Sequence, residues 1–145
     1  MTDSQNVDFI KLIELLDEDL VGRYGELQKK YKQHNKIDFI KDVAVIYKNG
    51  EPVACGAFKE FESNSVEMKR IFVKKENRRQ GLSRIVMGKL EEIAKSKGYE
   101  CAVLETGQKQ YEAISLYKNL GYKLIPNYGP YTGNINSICM KKLLK

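Results

Sequence analysis

The sequence predicts a mixed α/β domain, a central and mostly antiparallel sheet flanked by helices. Three observations carry that expectation. Asn49-Gly50 stands between two β-rich runs and marks a hairpin. Residues 66–98 read as a strand, a basic turn and an amphipathic helix. Strand-like and helix-like stretches then alternate toward the C-terminus, as in a strand–helix–strand unit joined to hairpins.

A chain of 145 residues, 42% hydrophobic and 30% charged, is long enough to bury one core without staples, so residues 1–145 are expected to form a single domain. No stretch approaches the run of about 18 apolar residues that a membrane span requires. The opening MTDSQNVDF lacks the charged-then-apolar pattern of a signal peptide, and a cytoplasmic address is expected. Cys55, Cys101 and Cys139 lie in apolar runs with no C-x-x-C pair, so they read as small buried hydrophobes rather than metal ligands, and no metal is expected. The formal charge of +6 is spread along the chain without a basic block interleaved with aromatics, which argues against nucleic acid as partner.

Taken in order, residues 7–15 alternate apolar and polar and read as a strand, while a helix through LIELLDEDLV stays open as the alternative. From Asp17 to about His34, the spacing of Leu20, Val21, Tyr24, Leu27 and Tyr31 predicts a helix capped by Asp17 or Asp19. His34, the one histidine, falls near its end and reads as a solvated terminal residue, which disfavours triad hydrolases. Runs 42–48 and 52–60 make the hairpin, and a third strand covers 65–73. The following helix has Leu82, Ile85, Val86, Leu90, Ile93 and Ala94 on its apolar face and Gly98 at its C-cap. Residues 100–105 form a short buried strand broken by Thr106-Gly107. Residues 111–120 form a helix, with Ala113, Leu116, Tyr117 and Leu120 on one face and Gly121 at its end. A short strand at 122–125, a loop NYGPYTGN and a strand at 135–144 complete the chain.

Strand, basic turn and helix present backbone N–H groups at a helix N-terminus, where the macrodipole favours an anion. Gly81 allows close approach of the backbone, and Arg78, Arg79 and Arg84 add positive charge, so the stretch reads as a pyrophosphate cradle. Gly81 is the sole glycine between Gly56 and Gly88, so neither a Walker A loop nor a G-x-G-x-x-G turn fits. Arg78-x-x-Gly81-x-Ser83 resembles the [R/Q]-x-x-G-x-[G/A] acyl-CoA signature of the GNAT (GCN5-related N-acetyltransferase) superfamily, with Ser83 departing from the usual small residue. Ala113-x-x-Leu116-Tyr117-x-x-x-Gly121-Tyr122 is similar to that family's second motif, A-x-x-L-Y-x-x-x-G-[FY], and the order of elements covers nearly the whole chain. The family's short second helix is not evident before the hairpin.

The resemblance implies acetyl transfer from acetyl-CoA to an amine. Arg78, Arg79, Gln80, Gly81, Leu82, Ser83 and Arg84 would hold the pyrophosphate, and backbone groups of Ile71, Phe72 and Val73 would pair with the pantetheine arm. Gln110 stands where many members have an asparagine that helps hold the cofactor. Tyr117 would protonate or hydrogen-bond the leaving thiolate. A phenol near pKa about 10 donating to a thiolate near about 8.5 is slightly uphill unless the sulfur is close. An alkylamine must lose a proton before it attacks, and Glu67 is the first choice of base, with Glu105 and water as alternatives. Tyr128 and Tyr131 in an aromatic loop, and Tyr24 on the first helix, are candidate walls of the acceptor site. The amine itself is not specified by any motif. By resemblance the C-terminal strands can also pair two copies into a homodimer. A non-catalytic acyl-CoA sensor is the competing class, and retention of Tyr117 favours the enzyme.

Overall fold

The structure, a computed structural model, describes residues 1–24 and 39–144, with the side chains of 20–24 left out of the description. Among the described residues the strands form a six-stranded sheet in the order β1-β2-β3-β4-β6-β5. These are β1 (Asp42–Lys48), β2 (Glu51–Glu62), β3 (Ser65–Val73), β4 (Cys101–Gly107), β5 (Lys123–Ile125) and β6 (Ser137–Leu143). Helices α1 (Val7–Tyr24), α2 (Leu82–Ser96) and α3 (Tyr111–Asn119) accompany them. The chain divides into two compact units: Met1–Phe58 with Arg70–Leu90, and Lys59–Lys69 with Glu91–Lys145.

In the first unit the strand expected over residues 7–15 is instead the start of α1. Asn6 caps it, its Oδ1 accepting the Phe9 N–H at 3.0 Å. Phe9, Leu12 and Leu16 then fall on one helical face and are buried against Ile40, Val43, Cys55, Ala57 and Phe72. The three-and-four spacing of these large side chains outweighs the alternation of Val7, Phe9, Lys11 and Ile13, since Val7 is exposed. Pairing at this end shrinks to a single antiparallel bridge, Thr2 with Val43. Asp17 and Asp19 therefore sit inside the helix and are not its caps. The remainder of the helix expected to reach His34, with Glu26, Leu27 and Tyr31, lies outside the described residues.

The hairpin forms as expected. Asn49 and Gly50 take φ of 53° and 82°, the paired positive values that a two-residue turn needs to follow the strand twist. The register shifts between Ile46 and Tyr47, so Tyr47 lies opposite Pro52. Residues 53–58 of β2 are buried without interruption, as in a strand covered on both faces. Cys55 and Ala57 face α1. Gly56 faces α2, where a Cβ would stand 2.5 Å from Val86 Cγ1 and 2.6 Å from Ile71 Cδ1. The buried side of α2 is Val86, Met87, Leu90 and Ala94, while Ile85, expected on that face, is 58% exposed. At about 100° per residue, Ile85 points roughly opposite to the centre of that group.

In the second unit β3 and β4 are parallel, from Ser65↔Cys101 to Met68↔Leu104. Their pairing ends there, although β3 continues to Val73 and β4 continues, paired with β6, to Gly107. Both helices that follow a strand stop by the same device. Gly98 N–H bonds Lys95 O and Tyr99 N–H bonds Ala94 O, and likewise Gly121 N–H bonds Lys118 O and Tyr122 N–H bonds Tyr117 O. Each glycine has positive φ, 93° and 100°, as a Schellman stop requires. No helix among the described residues is long and apolar enough to cross a membrane.

Candidate active site

The basic turn belongs to the first unit. After a 3-10 turn at Lys75–Asn77, Arg79 takes φ 66° and Gly81 φ 76°, and Gly81 O accepts the first bond of α2, from Ile85 N–H at 3.2 Å. Nothing lies within 4 Å of where a Gly81 Cβ would be, so this backbone is open on its outer side. Arg79, Gln80, Gly81 and Arg84 are exposed, and Leu82 and Ser83 half-buried. The first-turn N–H groups of a 15-residue helix have no acceptor within the helix, and they lie where these arginines stand.

Arg78 does not share that exposure. Its Nε donates to Val73 O at 3.1 Å, its Nη2 lies 3.7 Å from Asp19 Oδ2, and its guanidinium sits 5.8 Å from the Phe72 ring centre. Those contacts fasten the end of β3 to α1, which makes Arg78 a brace of the turn and engages the Val73 carbonyl. Gln80 accepts from Lys48 Nζ at 3.1 Å. Phe72 and Val73 are buried and Ile71 is half-buried.

Just before them Arg70 adopts φ 60°, a left-handed residue within a strand. Its Nη1 meets Asp17 Oδ1 at 3.3 Å, and its carbonyl accepts from Cys55 Sγ at 3.4 Å. Burial pushes the Cys55 thiol up to about 12 against the opposing charge of Arg70, which leaves it unreactive. Sequence reasoning passed over Arg70. Its signal was two consecutive cations, Lys69-Arg70, interrupting an otherwise alternating strand.

The carboxylates lie in the second unit. Register places them together: Glu67 pairs with Val103, Glu105 is two residues beyond Val103, and Glu105 pairs with Cys139. With side chains alternating along strands, Glu67, Glu105, Cys139 and Ser137 share one face. Glu67 is 6% exposed. Tyr128 Oη donates to its Oε2 at 2.8 Å, and Lys69 Nζ lies 3.7 Å from its Oε1. Burial, the charge of Glu67 and the hydrogen bond itself push the Tyr128 phenol well up, so it stays a donor. The Tyr128 ring packs between Phe61, 4.7 Å away, and Tyr131, 5.8 Å away.

Glu105 has a different environment. Burial raises its carboxyl to about 7; Ser137 and Lys69 oppose the shift, and the charge of Glu67 adds to it. The Ser137 hydroxyl faces this carboxyl closely enough to favour its anion, but not in hydrogen-bonding geometry, for its buried Oγ has no partner. Cys139 is pushed up by burial and by both carboxylates, against a backbone bond from Tyr128, which disfavours a thiolate nucleophile there.

One residue that sequence reasoning missed holds this loop together. Asn127 Nδ2 donates to the carbonyls of Tyr131, Asn134 and Ser137, at 3.2, 2.9 and 3.1 Å. It closes the chain between Tyr128 and Ser137 into a compact unit. An asparagine next to proline gave a turn signal and no hint of this role.

Tyr117 is buried at the end of α3, its ring 6.0 Å from that of Tyr122 in an edge-on arrangement. The Gly-Tyr of the second motif is thus the helix stop that seats the catalytic candidate, with Tyr122 fixed in turn by Glu91 at 3.0 Å. Burial, then the charge of Glu105, pushes the Tyr117 phenol up, widening the gap to a thiol. Gln110, expected to touch cofactor, has its Oε1 engaged by Thr106 Oγ1 at 3.1 Å and Gly107 N–H at 2.9 Å. Tyr131 is buried, and the side chain of Tyr24 lies outside the described residues.

This sheet, with a strand–basic turn–helix unit and a tyrosine seated by a Gly-Tyr stop, is that of an acyl-CoA acyltransferase. The pattern of the Acetyltransferase (GNAT) family matches residues 9–122, and the chain belongs to that family. An IAA acetyltransferase of Azospirillum brasilense is 33% identical over 101 residues, 69% of this chain and 66% of the relative. The uncharacterized N-acetyltransferase YsnE of Bacillus subtilis is 31% identical over 100 residues, 68% of this chain and 66% of its own length. The matched stretch thus spans slightly under two thirds of these relatives. Among solved structures, a Klebsiella pneumoniae protein assigned as an acyl-CoA N-acyltransferase superposes with TM-score 0.75 at 28% identity, over 97% of this chain and 92% of that one. A GNAT acetyltransferase from Elizabethkingia anophelis, solved with acetyl-CoA bound, shares the fold at TM-score 0.63 and 18% identity, over 80% and 82% of the two chains.

Proposed function

We propose that this protein, acting as one domain, transfers the acetyl group of acetyl-CoA to a primary amine by direct attack. The observation that carries the reading is the open, positive-φ backbone at Gly81, set at the N-terminus of α2 beside exposed Arg79 and Arg84. Such a surface fits a pyrophosphate, whose oxygens accept N–H groups and guanidinium charge. Acetyl-CoA supplies the activated thioester. The β3–β4 pairing that ends at Met68 supports an arm lying along Ile71–Val73, with the Val73 carbonyl already taken by Arg78.

The chemistry balances with this chain's own groups. A carboxylate of the Glu67–Glu105 pair takes one proton from the ammonium and later returns it to water. The freed nitrogen bonds to the acetyl carbon, and the carbon–sulfur bond breaks. The second proton on nitrogen passes to the departing sulfur through Tyr117, which gives its own proton as it receives that one. A concerted exchange suits a phenol pushed up by burial, because no free phenolate has to form. Tyr128 and Tyr131 would bound the acceptor site. A cytoplasmic location and pairing of two copies through the C-terminal strands accompany this reading, and fractionation and sedimentation test them.

The test is mass-spectrometric detection of acetylated product after incubation with acetyl-CoA and spermidine, kanamycin, free lysine and a lysine-bearing peptide. One rapidly acetylated class, lost in Tyr117→Phe, supports the reading. Tight acetyl-CoA binding with no product from any class would support a sensor instead.

A further inference from the structure

Resting on that reading, we propose that Glu105 removes the acceptor's proton, and that Tyr128, by holding Glu67 in place, is a positioning residue for that step. The geometry separates the two carboxylates. Both oxygens of Glu67 are engaged, Oε2 by the Tyr128 hydroxyl and Oε1 by the Lys69 ammonium. Glu105 sits on the same sheet face, one residue past the last β3–β4 pair and directly opposite Cys139. Beside it the Ser137 hydroxyl, 6% exposed, has no partner and faces the carboxyl. A buried hydroxyl left without a partner is costly, and an amine bound at Glu105 would give it one.

The groups that face Glu105 are Glu67 and Lys69 from β3, Ser137 and Cys139 from β6, and Tyr117 from α3. Burial, with the charge of Glu67 adding and Ser137 and Lys69 opposing, raises its carboxyl to about 7, where a general base is half-ionised at working pH. Glu67 contributes to this as a fixed neighbouring charge. Its phenolic anchor is itself wedged between Phe61 and Tyr131, so the orientation of the charge is set by packing. Asn127 ties the strap that carries Tyr128 to the start of β6, which carries Ser137, so both sides of the carboxylate pair share one support.

Two measurements decide it. In the resting protein with selectively 13C-labelled glutamate carboxyls, Glu105 is expected to titrate near about pH 7 and to move lower in Glu67→Gln, since a negative neighbour is removed. In turnover with the fastest amine of the panel, kcat/KM should fall below about pH 7 in the wild type. Glu105→Gln should lose that limb and at least roughly 100-fold in rate. Glu67→Gln should keep the limb and shift it to lower pH. Tyr128→Phe should lower kcat several-fold while the limb remains. A single cooperative thermal unfolding transition in each variant at pH 5 would show that it is folded. Retention of the limb in Glu105→Gln, or a resonance near pH 7 that belongs to Glu67, overturns the assignment. A wild type that acetylates no amine sinks the acetyltransferase reading, and the carboxyl titration then still decides which glutamate is poised.

Discussion

The basic turn at Arg79–Arg84 and the carboxylate cluster around Glu67 and Glu105 use opposite materials. The turn is made of backbone, stands open to water and depends on one positive-φ glycine. The cluster is made of side chains, is largely buried, and is held by a phenol, an ammonium and a packed aromatic loop. A site for a phosphate can be solvated because its ligand brings full charge and meets donors that cannot titrate. A site that moves a proton needs burial, because burial is what shifts a carboxyl toward neutrality. The two regions therefore differ in how they fail under mutation. Changes at the turn are expected to alter affinity, and changes in the cluster to alter rate and stability.

The sharpest test of the contrast is Tyr117→Phe. Removing a proton shuttle should cost roughly 100-fold or more in kcat with little change in acetyl-CoA affinity, read by steady-state kinetics beside calorimetric binding. Next comes a stability test of the buried carboxyl. Glu105 has a folded value raised from 4.5 to about 7, so the native state binds more protons than the unfolded chain between those values. Its stability contribution is therefore lost as pH rises through that window. Glu105→Gln should gain about 3 kcal/mol over wild type at pH 8 and nothing at pH 4, measured by urea unfolding. Gly56→Ala tests the support of the turn. Its added methyl meets Val86 and Ile71, and a loss of about 1–3 kcal/mol in stability is expected, with acetyl-CoA binding weakened as α2 shifts. The smallest effects belong to the arginines. Arg84→Ala should weaken acetyl-CoA binding by about 1 kcal/mol or less, an effect that added salt erases. Arg78→Ala should instead lower the melting temperature, because its partners are Val73 and Asp19. Salt-insensitive loss of affinity in Arg84→Ala would dissolve the distinction between the regions.

Much of this was readable from the sequence because local chemistry dictated it. Asn49-Gly50 forces the hairpin, strand 65–73 ends where the apolar Ile71–Val73 gives way to the basic turn, and Gly98 and Gly121 stop their helices by adopting conformations that other residues resist. The start of the chain reads as strand or helix, because alternation and helical spacing coincide over residues 7–15. There, burial of Phe9, Leu12 and Leu16 against the sheet decided for helix. Within the site, the turn was legible because its signal is contiguous. The role of Arg78 was not, because its carboxylate partner lies on α1, far away in sequence. Ser137, Cys139 and Asn127 were likewise invisible. They gain meaning through the β4–β6 register and the fold of one loop, neither of which a run of residues announces.

Gly56 carries a consequence for engineering. The height at which α2 rides over β2 is set by a missing methyl group on a strand about 25 residues upstream of the phosphate-binding turn. Residues 78–84 moved into another scaffold would bring their charges and their positive-φ backbone, but not the depth at which their helix is seated. A working graft has to carry a bare patch of strand along with the loop. In this protein the anion site is portable only together with the floor beneath its helix.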